Sequence, residues 1–423
     1  MADRGLAARE PRTGEATTRS RAITRSRAPL ARTRARWRLL PWWARVLIVY
    51  AAARGVTTAM MSALASAQAA NAWTGPSPGY ADFANIWDGN WYNIVAVVGY
   101  PAELPLTPEG RVAENAWAFM PGFPVVVRGL MLVTGLSWAP AAVTVSVLFG
   151  AGAALLLHRL LLPRIGGSAA MFAVVLFCVA PLSPMMQVAY AESMHAFLLT
   201  LALLLLVRRS YGWLVPVVAV MSLTRPSGLA FALALGLHAV HRFARREDDP
   251  FPTRQRVAAG ALALFSAGMG FLWPAVAWAV TGSLTAYTDT ELAWRSSYIG
   301  YGELVPFAAW FQGGDWWLGS PLGPVVVALL VVAFAGAMLL PPVRRLGADL
   351  RIWVVSYALY LLAVFFPQSS TFRLLMPMFP LLGAIAQPRS ALYRLGVVAV
   401  SLALQWGWLL LCWRVDGYDW TPP

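Results

Sequence analysis

Apolar runs of about 18–25 residues recur between positions 44 and 412, each long enough to cross a hydrocarbon core ~30 Å thick. Only 12% of the 423 residues are charged, against about 25% in a typical soluble domain. The chain therefore reads as one membrane-embedded domain, with lipid as its main solvent.

The net charge of +14 does not indicate a nucleic-acid partner. Every basic residue is arginine, and twelve of the 33 precede residue 46. Most of the others lie between apolar runs, where the positive-inside rule places them on the cytoplasmic side. Residues 1–37 are rich in Arg, Thr, Ser and Ala and are expected to be a disordered cytoplasmic tail held against anionic headgroups. Cys178 and Cys412 both fall in apolar runs and imply no disulfide framework.

Arginines flank three long apolar segments at both ends: 165–207, 210–241 and 352–388. Each must cross twice if both ends are cytoplasmic. A proline sits near the middle of each, as Pro181 and Pro184, Pro226, and Pro367, where it interrupts a helix. The external turns are then SPMMQVAYAES (183–193), LTRPSG (223–228) and FPQSSTFR (366–373). Residues 210–241 are short for two crossings, so the turn carrying Arg225 is expected below the outer surface, in a cavity. Single spans at 44–66, 139–160, 257–281, 321–341 and 392–412 bring the total to about eleven. The external loops are 67–138 and 282–320, and 118–135, with two prolines and Arg128, reads as an interfacial helix. Residues 38–423 form the transmembrane domain.

Four polar clusters share the external side under this threading. In the first, IWDGNWYNIVAVVGYP (86–101), Asp88 stands beside Trp87, Trp91 and Tyr92; it reads as a general base or as a plain helix cap. The second holds Tyr190 and Glu192, the latter placed to be favoured by a helix dipole. The third holds Arg225, and the fourth holds Arg373 beside Ser369, Ser370 and Thr371. Either arginine suits a phosphate through its planar fork, or anchors at headgroup level. Asp88 or Glu192 is expected to pair with Arg225 or Arg373. Arg54 lies inside the first span and either binds a lipid phosphate or pairs internally. His158, His195, His238 and His241 lack metal-ligand spacing, and no P-loop or G-x-G-x-x-G is present. Nothing in the sequence calls for a metal or other cofactor. A multi-pass lipid or sugar transporter is the alternative reading, although no internal repeat supports it.

The strings WDGNWYNIVAVVGYP and AFMPGFPVVVRGL resemble the first-loop signature of the PIG-V family of mannosyltransferases. AYAESMHAFLLTLALLLL, LTRPSGLAFALAL and STFRLLMPMFPLLGA are similar to three later elements, in family order, so that the resemblance covers about 86–386. Met120, Gly122 and Phe123 depart from the family pattern. The resemblance implies an all-α, polytopic GT-C glycosyltransferase fold with interfacial helices in a large first external loop. It implies an inverting transfer of a mannosyl residue from a polyprenyl (dolichyl-type) phosphate to a lipid-linked or cell-wall glycan acceptor. In eukaryotes the family acts in GPI-anchor biosynthesis. Asp88 is the implied base. Arg373 and Arg225 would meet the leaving phosphate. Trp87, Trp91 and Tyr92 would stack on sugars or hold the loop, with Tyr190, Glu192 and Ser370 beside them. No metal is required, because the arginines supply positive charge. The localisation implied is a multi-pass cell-membrane protein with its N-terminus cytoplasmic and its catalytic face outside.

Overall fold

The computed structural model describes residues 36–37, 39–302, 304–415 and 421–423. The tail expected at 1–37 thus lies outside the described residues except for Arg36 and Trp37. The described residues are helical, with one isolated bridge between Leu106 and Val112 and no named strand. Helices of eight residues or more are numbered in chain order: α1 (Trp42–Ser66), α2 (Asp88–Val97), α3 (Gly122–Thr134), α4 (Trp138–Val179), α5 (Glu192–Val207), α6 (Tyr211–Ser222), α7 (Gly228–Ala244), α8 (Thr253–Thr281), α9 (Ala286–Ala293), α10 (Ala309–Leu318), α11 (Leu322–Ala337), α12 (Ala348–Val364) and α13 (Ala391–Cys412).

Helices α1, α4, α8 and α13 are each long and apolar enough to cross a membrane, and α3, α5, α6, α7, α11 and Met376–Ile385 are shorter apolar helices. Large apolar side chains such as Leu148, Leu264, Phe271, Leu329, Val332 and Leu395 cover the outside. That surface suits lipid rather than water. The chain is a helical, membrane-associated protein.

The breaks fall near the expected places. The expected span 139–160 and the run beginning at 165 are joined within α4, bent at Gly166, whose φ of 76° a residue with a Cβ rarely adopts. The turn after α4 passes through the 3-10 stretch Ser183–Gln187 into α5. Twelve-residue α6 rises only about 18 Å, short of the ~30 Å core, in keeping with a segment too short for two full crossings. Helix α3 buries Phe123 and Val127 and exposes Val125, Leu132 and Val133. Arg128 donates to the Ala96 carbonyl at 2.8 Å. This one-sided burial suits the interfacial role expected of 118–135.

Two sets of contacts define the ends of the bundle. At one end Trp42 stacks on His158, Arg394 reaches Ser168, Arg345 reaches Gln387, and Arg209 pairs with Asp249 at 2.7 Å. A directional chain ties α6, α7 and α12 there. Arg242 donates to the Tyr211 hydroxyl at 3.1 Å, that hydroxyl meets His238 Nε2 at 2.9 Å, and His238 Nδ1 meets Asp349 at 2.7 Å. At the other end the Gly122 amide donates to the Leu223 carbonyl, Asn115 to Thr290, Trp317 to the Pro367 carbonyl, and Arg373 pairs with Asp88. The arginine-flanked turns thus share one end, and the loops rich in aromatic and polar residues share the opposite end.

Arg54 is buried in α1 and pairs internally. Its guanidinium donates to the Ser183 carbonyl and, at 2.7 Å, to the Cys178 carbonyl, and it lies over the Tyr50 ring. It therefore satisfies the backbone exposed where α4 ends. Nearby, Gln405 donates to Thr57 at 3.0 Å and to Ser183 at 2.6 Å. Arg54→Met leaves two buried carbonyls without donors and is expected to cost about 2–6 kcal/mol. A lowered unfolding temperature in detergent checks this, and an unchanged one rejects the capping role.

Candidate active site

Asp88 opens α2 immediately after Trp87, which has φ 62° and ψ −125°. Positive φ is strained for a bulky residue, by about 1–3 kcal/mol. The Trp87 ring is buried and its Nε1 donates to the Cys412 carbonyl at 2.8 Å, which holds the strained residue in place. Gly89 follows because a Cβ there would lie 2.9 Å from Asn85 Oδ1 and 3.3 Å from Ala189 Cβ. The first loop therefore packs hard against the segment carrying Tyr190. The Asp88 amide donates to the Tyr190 hydroxyl at 3.2 Å, and the Ala189 amide donates to the Ala84 carbonyl.

Four charges converge on this point. Arg373 Nη1 pairs with Asp88 Oδ2, and the same nitrogen lies 3.3 Å from Glu192 Oε1. Arg225 Nη1 lies 3.1 Å from the same Glu192 oxygen. Side-chain exposures are 16% for Asp88, 9% for Arg373, 5% for Glu192 and 17% for Arg225. Two carboxylates and two guanidiniums sum to zero formal charge, which is how a cluster this buried is tolerated. Arg373 also lies over the Tyr190 ring, 5.4 Å from its centroid.

The cluster faces a cavity of about 470 Å³, within the range of roughly 300–1,000 Å³ usual for small-molecule sites. Of the residues singled out in the sequence, Asp88, Tyr92, Glu192, Arg225, Ser370 and Arg373 line it. Trp87, Trp91 and Tyr190 stand behind the wall. Trp91 stacks on Phe119 with ring centroids 5.6 Å apart and meets Trp294 edge-on, so it holds the loop that Phe119 and Trp294 present to the cavity. Ser370 is buried and accepts from Gln368 Nε2 at 3.3 Å.

Several lining residues were not singled out by the sequence. His195 and Ser227 belong to motifs already noted, but Tyr287, Glu291, Trp294 and Arg295 come from α9 and its end, within the segment read only as an external loop. The signal available there was Glu291 four residues before Arg295, an ion pair of 3.9 Å in the structure. Tyr357 and Tyr360 of α12 complete the wall. Among the described residues, no group of three or more His, Cys, Asp or Glu is placed to hold a metal ion.

Gly122 locks the first loop to the third motif. Its amide donates to the Leu223 carbonyl at 2.8 Å. A Cβ at 122 would lie 2.8 Å from that carbonyl oxygen and 2.7 Å from Thr224 Oγ1. Gly122→Ala is thus expected to displace the turn holding Arg225. A lowered unfolding temperature of the purified variant in detergent checks this, and an unchanged one rejects the contact as a constraint.

No protein-family profile matches the chain, and no curated protein is significantly similar to it.

Proposed function

We propose that the protein is an inverting membrane glycosyltransferase of the GT-C type, akin to the PIG-V mannosyltransferases. It would cross the membrane about eleven times with the polar end outside, and move a mannosyl residue from a polyprenyl phosphate to a lipid-linked or cell-wall glycan. The observation that carries this reading is one carboxylate, Asp88, sharing a cavity with two buried guanidiniums, Arg225 and Arg373. The placement of the arginine-bearing turns at the opposite end supports the orientation, since such turns are retained in the cytoplasm.

The acceptor hydroxyl attacks the anomeric carbon of the donor sugar from the side opposite the phosphate. Its proton passes to an Asp88 carboxylate oxygen. The bond between the anomeric carbon and the phosphate oxygen breaks, and its electron pair leaves with the polyprenyl phosphate. Arg373 and Arg225 meet the charge that develops there. In the resting site Arg373 is engaged by Asp88 and Glu192, so donor binding must share that guanidinium with the incoming phosphate. Glu192 accepts no hydrogen bond of good geometry from the described residues. Its lone pairs suit a sugar hydroxyl. Tyr92 forms the wall beside Asp88, while Trp87 and Trp91 hold the loop.

The test is incubation of vesicles containing the protein with polyprenyl phosphate carrying radiolabelled mannose. The proposal expects label in a lipid-linked or wall glycan. Movement of the donor across the bilayer with no sugar transfer would establish a transporter instead.

A further inference from the structure

The turn carrying Arg225 is gripped twice by α5. Glu192, the first residue of α5, holds the guanidinium at 3.1 Å. His195, three residues on and so on the same helical face, holds the backbone behind it. His195 Nε2 lies 3.1 Å from Ser227 Oγ, and Ser227 Oγ donates to the Arg225 carbonyl at 3.2 Å. A hydroxyl has one proton. With that proton on the Arg225 carbonyl, Ser227 Oγ accepts from His195, which must therefore carry its hydrogen on Nε2. The relay runs from imidazole N–H to hydroxyl to carbonyl, with His195 and Ser227 both buried against the cavity they help to line.

The turn needs such support because proline follows Arg225 and supplies no N–H. Around the proline its backbone ties include the Arg225 amide to the Met221 carbonyl at 3.1 Å and the Ser227 amide to the Arg225 carbonyl at 2.7 Å. The second of these closes on the same oxygen that receives the Ser227 hydroxyl. The Arg225 carbonyl thus receives two donors from Ser227, its amide and its hydroxyl, and His195 orients the second.

We propose that His195, acting through Ser227, is the positioning residue that sets Arg225 for the phosphate of the lipid-linked donor. This rests on the reading of Arg225 as a phosphate ligand and adds a residue to which no role had fallen. Glutamine places an amide N–H near the position of imidazole Nε2, whereas alanine and phenylalanine place none there.

The test uses the full chain in lipid nanodiscs and farnesyl phosphate as the probe, with binding read from tryptophan fluorescence and unfolding temperature recorded in parallel. His195→Ala and Ser227→Ala are expected to weaken farnesyl phosphate binding about 10-fold or more, and His195→Gln to restore it to within about 3-fold of the parent, for variants that unfold at similar temperatures. In the transfer assay the same variants should raise KM for the donor and leave KM for the acceptor unchanged. His195→Ala binding as tightly as the parent, or His195→Gln failing as badly as His195→Ala, overturns the proposal while the transferase reading stands. A parent protein that neither binds farnesyl phosphate nor transfers sugar overturns both.

Discussion

On the proposed transferase reading, replacing Asp88 with asparagine is expected to abolish sugar transfer while the protein remains folded and in the membrane. Asparagine keeps the volume and the helix start but cannot take a proton from the acceptor hydroxyl. General-base catalysis is worth about 10²–10⁴-fold, so kcat should fall by at least ~10²-fold. The fold survives because Arg373 keeps Glu192 at 3.3 Å as a partner and Trp87 stays fixed to Cys412. The substitution also moves the four-residue cluster from zero to +1, so KM for the anionic donor should not rise. A large loss of kcat with unchanged or tighter donor binding separates a missing base from a collapsed site. Normal turnover by the variant would remove Asp88 from the chemistry.

The second large effect is expected at Arg373. Its removal leaves Asp88 without its cation and leaves Glu192 with Arg225 alone, a cluster of −1 facing an anionic donor. Breaking a buried ion pair from one side costs about 3–5 kcal/mol. Loss of a preorganised group that meets leaving-group charge costs about 10²–10³-fold in rate. Arg373→Ala should therefore unfold at markedly lower temperature and transfer sugar at least ~10²-fold more slowly. Arg373→Lys should recover part of the stability and little of the rate, because an ammonium is a point charge without the planar fork. Parent-like transfer by the lysine variant would show that charge alone suffices there.

Much of this was legible in the sequence because its signals are local. Apolar length marks a crossing, arginine marks the retained side, and Pro184, Pro226 and Pro367 mark where a segment turns. Those three readings place positions 88, 192, 225 and 373 at one end of the bundle, where the structure joins them through ion pairs. What stayed hidden depends on contacts between distant parts of the chain. Arg54 finds carbonyls more than 120 positions away, so neither partner is visible from its own helix. Trp87 looks like a sugar platform beside Asp88, yet its indole is taken by the Cys412 carbonyl, 325 positions on. The segment 286–295 reads as one more aromatic stretch until α9 brings Tyr287, Glu291 and Arg295 to the cavity. His195 looks like a lone histidine in an apolar helix, and only the turn after α6 supplies its partner.

On the proposed transferase reading, the two guanidiniums and the Asp88 carboxylate surround the reacting end of a lipid-linked sugar. A structure of the protein bound to a polyprenyl phosphonate analogue of mannosyl phosphate tests it most directly. The phosphonate is expected within hydrogen-bond reach of Arg225 and Arg373, with Asp88 facing the anomeric carbon from the opposite side. An analogue seated at the arginine-rich end, or one whose phosphonate touches neither guanidinium, would contradict it.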